Sequence, residues 1–245
     1  DGGSLLSSTF LGGTDNDGLN TASRLKFNYA DEVRGEIDID KNNNIYIATC
    51  TQSSDFPVTN SFQNYSNGNQ EGCIVKMDNQ LTSIIWSSYL GGVNDDAIYS
   101  LALDDEDNIY VTGGTNSYDF PTTTNAYLIN YQDSTKADAF ISKITSNGNQ
   151  LMHSSYYGTD QYDQSYFVEI GSNNSIYLFG QTKTSGTNLV SNATYFESGA
   201  GQFIAVFSED LSSILRSTVV GTGKGTPDIS PTAFLVDVCD KIYIA

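Results

Sequence analysis

The stretch that decides the fold runs from Ser87 to Lys143. It reads Ser-Ser-Tyr-Leu-Gly-Gly (87–92), Ser-Leu-Ala-Leu-Asp (100–104), Asn-Ile-Tyr-Val-Thr-Gly-Gly-Thr (108–115), Asp-Phe-Pro-Thr-Thr (119–123) and Asp-Ala-Phe-Ile-Ser-Lys (138–143). Each apolar piece has the length of a β-strand and stops at Gly, Asn, Asp or Pro, the residues that punctuate pleated structure. The same pieces return in the same order on both sides of this stretch.

Four Ile-Tyr pairs set the phase: Ile45-Tyr46, Ile109-Tyr110, Ile176-Tyr177 and Ile242-Tyr243, spaced by 64, 67 and 66 residues. A Gly after an apolar or aromatic residue repeats in step at Gly12, Gly91, Gly158 and Gly221. Asp55-Phe56-Pro57 returns as Asp119-Phe120-Pro121, and Cys73-Ile74-Val75-Lys76 as Phe140-Ile141-Ser142-Lys143. A fixed internal period of this kind is the signature of a repeat architecture.

One period holds four strand-like runs: Tyr99–Leu103, Ile109–Thr112, Ala139–Ile144 and Met152–Tyr156. Tyr, Ile, Val, Thr and Phe dominate them, as a pleated surface prefers. The polar turn 104–108 suits a hairpin, and no segment carries the apolar period of a substantial helix. Four antiparallel strands per period is the content of one propeller blade, and a blade buried on both faces explains apolar residues on both alternations. The prediction is an all-β chain, a β-propeller of four-stranded antiparallel blades. The expected division is the fourth strand of a closing blade over Ser4–Leu11, full blades over 14–90, 93–157 and 160–220, and an incomplete blade over 223–245.

At this period 245 residues hold between three and four blades, whereas closed rings use about four to eight. The reading favoured is a first-half segment of a larger ring that continues beyond Ala245. A small four-bladed ring is the alternative, although its closing blade would lack a third strand.

The formal charge of −18, from 29 acidic and 11 basic residues, disfavours nucleic acid and anionic membrane as partners, because both need a basic face. No apolar run reaches the length of a membrane span. Cys50 and Cys73 fall on neighbouring strands of one blade, so a bridge between them competes with the reading of two small buried hydrophobes. Cys239 has no obvious partner.

The residues expose no catalytic constellation, and none is assigned as catalytic, cofactor-binding or metal-binding. His153, the sole histidine, lies in a strand and lacks a nucleophile motif. The carboxylates Asp15, Asp17, Asp95, Asp96, Asp104, Asp105, Asp107, Asp160 and Asp163 concentrate in turns, where Asp serves backbone hydrogen bonding. Calcium stays open as a minor alternative because it takes oxygen ligands from such loops. Phe56 and Phe120 read as plugs at the blade edge, with Phe62, Tyr65, Tyr127 and Tyr131 in the loops behind them; a sugar-stacking platform would use the same residue types. The Gly-rich stretch 221–226 follows a strand but opens no helix, which rules against a phosphate loop. The first period carries about 15 extra residues around Asn20–Arg34, an insertion that decorates one face of the ring.

The units at 87–92, 107–115, 119–123 and 138–144 resemble the bacterial SBBP β-propeller repeat, named for a seven-bladed propeller. The resemblance implies a secreted or cell-surface protein of Bacteroidetes-like bacteria, with export of the type IX kind, and it brings no catalytic motif. The expected function is a non-enzymatic scaffold or binding module that presents loops to a protein or glycan partner. Alternatives are a polysaccharide-acting enzyme with an acidic central site, recognisable by two inward-facing carboxylates within about 10 Å, and a passive spacer in a surface adhesin.

Overall fold

The computed structural model describes residues 3–132 and 135–245. The strands fall into sheets in chain order. The first sheet is β1 (Glu36–Ile39), β2 (Ile45–Thr51), β3 (Glu71–Met77) and β4 (Ile84–Leu90). The second is β5 (Asp96–Leu103), β6 (Ile109–Thr115), β7 (Asp138–Ile144) and β8 (Leu151–Tyr157). The third is β9 (Asp163–Ile170), β10 (Ile176–Thr182), β11 (Gln202–Phe207) and β12 (Ile214–Val220). A two-stranded sheet, β13 (Phe234–Val236) and β14 (Ile242–Ile244), follows. All pairings are antiparallel between sequence neighbours. The helical content among the described residues is two short 3-10 turns, Tyr29–Glu32 and Ser172–Asn174.

The Ile-Tyr landmark has a physical reason. Side chains alternate across a strand, so Ile and Tyr of one pair face opposite neighbours. Ile109 and Val111 join the core shared with the first sheet, whereas Tyr110 joins the core shared with the third. Ile176 and Leu178 likewise face the second sheet, and Tyr177 and Phe179 face β13. The second and third sheets are therefore apolar on both faces because each is sandwiched between neighbours. At the hairpin tip Asp40 accepts the Asn42 and Asn44 amides and pairs with Lys76 at 3.1 Å, with Lys76 over the Tyr46 ring. Asp104, Asn108, Lys143 and Tyr110 repeat that arrangement in the second sheet. The residue in the left-handed conformation is Asn43 in one turn and Asp107 in the other, types that tolerate it.

The first strand of each sheet lies innermost: β5 packs on β1, β2 and β3, β9 packs on β5, β6 and β7, and β13 packs on β9. This is blade-on-blade packing around a common hub, as in a β-propeller, with the sheets not closed into a ring. Trp86 on β4 is fully buried in the first of these seams. Its ring edge meets Tyr46, and its indole N–H donates to the Ser146 carbonyl of the next sheet at 3.0 Å. Gly148 lies under the same ring with φ +72°, where a Cβ would stand 2.2 Å from an indole carbon. Phe56 and Phe120 sit in the blade cores as the Phe-Pro reading expected, the Phe120 ring 4.4 Å from that of Phe140.

Ser4–Leu11 forms no strand and is largely exposed. Its sequence equivalents, β4, β8 and β12, pair with the third strand of their own sheet. The sheet of β13 and β14 offers no third strand within the described residues. The cysteines are all free. Cys50 stands opposite Gly72 and Cys73 opposite Thr49, so the offset of one residue sends the two thiols to opposite faces. Burial pushes the Cys50 thiol up to about 12 and Cys73 well above its ordinary range. A thiol-reactive dye should accordingly label Cys239 rapidly in native protein, and all three cysteines only after unfolding. Rapid native labelling of two or more would contradict this placement.

Candidate functional site

The insertion around Asn20–Arg34 does not simply decorate a face; it crosses the hub, bonded to β5 and β9 and to the segments that lead into β3 and β13. Leu25 is fully buried, and its carbonyl accepts from Tyr99 Oη of β5 at 2.6 Å and from Gln164 Nε2 of β9 at 3.0 Å. Asn20 donates to the same Tyr99 hydroxyl and is held by Gln70, which leads into β3. Tyr162 and Tyr166 extend the chain of hydroxyls at 2.9 Å. Tyr166 donates to Asp31 Oδ2 at 3.1 Å, and the Phe27 and Asn28 amides donate to that same oxygen. Arg34 faces Asp31 at 3.6 Å, lies 4.8 Å over the Tyr166 ring and donates to the Pro231 carbonyl ahead of β13. Burial raises the Asp31 carboxyl, with the two amides and Arg34 opposing that rise.

While its underside is anchored, the outer side of this loop is open. Tyr29 is 98% exposed and Val33 70% exposed. On the same loop the exposed Phe27 ring stacks on Tyr162 and carries the Lys183 ammonium 4.5 Å from its centroid.

Further along the inner strands the hub opens into a cavity of about 340 Å3, lined among others by Glu36, Asp38, Leu101, Leu103 and Glu169. Glu36 accepts the Ser100 hydroxyl at 2.5 Å and the Leu101 amide at 2.8 Å, and Ser100 Oγ in turn accepts the Val168 amide. One carboxylate thus ties three inner strands together. Burial, then the charges of Glu36 and Asp38, push the Glu169 carboxyl up to about 7; burial also raises Glu36. Glu169 in this state can hold or release a proton near neutrality.

The turn carboxylates are a structural set. Asp17, Asp96 and Asp163 accept the amides of Gly13, Gly92 and Thr159 at 2.6–2.8 Å, each four residues upstream, and Asp228 does so for Thr222 at 2.6 Å. The feature therefore persists in copies whose Gly-Gly has been lost, because the backbone amide, not the Gly, is the ligand of the carboxylate. His153 stands half-buried in a rim cleft near Asp210, while Lys143 in the same cleft is bound by Asp104 and Glu209. Among the described residues no group of three or more His, Cys, Asp or Glu side chains is placed to hold a metal ion. No described helix is long and apolar enough to cross a membrane.

A comparison with curated proteins gives no match. Residues 85–121, which run from β4 of the first sheet through the Asp96-capped loop and the β5–β6 hairpin of the second to Pro121, match the family model of the SBBP beta-propeller repeat.

Proposed function

We propose that the protein is a non-catalytic β-propeller module of an exported bacterial surface protein, and that it binds a protein or glycan through the platform formed by the insertion. The supporting observation is the division of labour within that loop. Asn20, Leu25, Asn28 and Asp31 are spent on fixing it to the hub, while Tyr29 and Val33 project into solvent with no packing role. A rigid scaffold carrying exposed aromatic residues is suited to recognition at low ordering cost. The same reading places a further blade of the same repeat against the open face where Ile37 and Ile39 are exposed, because their equivalents Leu101 and Leu103, and Val168 and Ile170, are covered by the preceding sheet.

The test is a Tyr29→Ala, Val33→Ser variant in a panel of surface glycans and cell-envelope proteins. Binding by the wild type and its loss by ~10-fold or more in a variant with an unchanged melting temperature is the expected result. Retained affinity, or no binding by the wild type at all, would leave the spacer reading in its place. Fractionation of intact cells tests the location, and a purely cytosolic protein would overturn it.

A second reading draws on Glu36, Asp38 and Glu169 at the hub cavity, which suit acid-base chemistry on a polysaccharide. It requires hydrolysis that Glu169→Gln abolishes.

A further inference from the structure

Glu71 opens β3 and Asp96 opens β5 of the following sheet, and both side chains are fully buried. Glu71 Oε1 accepts the Asn67 and Gly68 amides at 2.6 Å each. Its other oxygen, Oε2, is buried and has no hydrogen-bond partner. That oxygen and Asp96 Oδ2 converge on Gly91: a Cβ there would stand 1.9 Å from the first and 2.5 Å from the second. Asp96 Oδ2 already accepts the Gly92 amide and the Ser117 hydroxyl, at 2.8 Å each. Two ionised carboxylates this close in a dry seam would be severely unfavourable.

The groups that face the pair offer no relief. The second sheet and its loops contribute Asp95, Asp119 and Tyr156, and β4 contributes Tyr89. The Arg24 guanidinium acts on Asp95, where it opposes a rise caused by burial. A calcium ion would require about six oxygen ligands, and the described residues hold no cluster of three or more acidic, His or Cys ligands. A proton needs only the two oxygens that are present.

We propose that Glu71 and Asp96 share one proton, carried on Glu71 Oε2 and donated to Asp96, and that this hydrogen bond latches the first sheet to the second. The latch opens when the proton is lost: the seam then holds two facing negative charges. The seam between the second and third sheets repeats the geometry, with Asp138 Oδ1 and Asp163 Oδ2 each 3.0 Å from the Cβ position of Gly158. The third seam is an internal control. Gly201 pairs with Thr182 there, in the register position of Glu71 and Asp138. Its lone Asp228 is exposed, with its carboxyl held below the usual range by Thr222.

Burial raises the Glu71 carboxyl from 4.5 to about 7, so the folded state holds a proton that the unfolded chain releases. The stabilisation is complete below about pH 4.5 and is lost as the pH rises to about 7. Glu71→Gln keeps an uncharged donor at this site. Its melting temperature should fall less than that of the wild type between about pH 5 and about pH 8, by roughly 5 °C or more. An equal fall in both proteins overturns the proposal, as does a calcium-dependent rise in the wild type that the variant lacks. Should Glu71→Gln fail to fold, carbon NMR of wild-type protein labelled at its Glu carboxyls decides the matter. The Glu71 resonance should titrate near neutrality, and titration in the ordinary carboxylate range overturns the proposal.

Discussion

Replacing Trp86 by Ala is expected to destabilise the protein by about 3–5 kcal/mol, the range for emptying a large buried aromatic site. The indole is fully buried at the seam between the first and second sheets, in one core with Tyr46, Leu101, Ile109 and Phe140. Collapse of the site is resisted from both sides. The Tyr46 ring is pinned by Lys76, itself paired with Asp40, and the turn at Gly148 is fixed by the Gly148 amide donating to Thr145. The Ser146 carbonyl also loses its indole donor. Against a total stability of about 5–15 kcal/mol for an ordinary domain, this is a large fraction. Chemical denaturation with matched slopes measures it. A loss below about 1 kcal/mol would mean that the seam is not a packed interface.

Asp31→Ala should have an effect of similar size, about 3–5 kcal/mol, by a different cause. The carboxylate receives the Phe27 and Asn28 amides and the Tyr166 hydroxyl. Its removal leaves these donors buried, and it leaves Arg34 in the hub without its facing charge. Asp31→Asn retains an acceptor for the amides and should cost less than half as much. Comparison of the two variants by urea denaturation separates the hydrogen bonds from the charge. Equal losses would mean that the charge carries the whole effect.

The architecture was legible because a propeller repeats its instructions. The alternation of Ile109 with Tyr110, the Asp104 turn and the Phe120 plug each encode local chemistry that recurs at a fixed interval. The hub was less legible. The insertion around Asn20–Arg34 occurs once, so no second copy reveals that Leu25 and Asp31 are turned inward while Tyr29 is turned out. The carboxylates show the same limit in another form. Asp96 reads correctly as a turn residue, since it caps the Gly92 amide. Its burial against Glu71 depends on how two sheets meet, and nothing in the local sequence of either residue reports the other. Ser4–Leu11 shows the converse: a stretch that matches β4 and β8 in pattern needs a third strand beside it before it can be a strand.

The sheets share one hub that the insertion holds together, and hydrogen exchange on Asp31→Ala tests this most directly. The amides of β5, β9 and β13 belong to three different sheets and lie far from position 31 in sequence. A shared hub predicts that all three lose protection together, with β4, β8 and β12 at the outer edge affected less. Loss of protection confined to the insertion and β1 would show that the sheets are held independently, and would contradict the account.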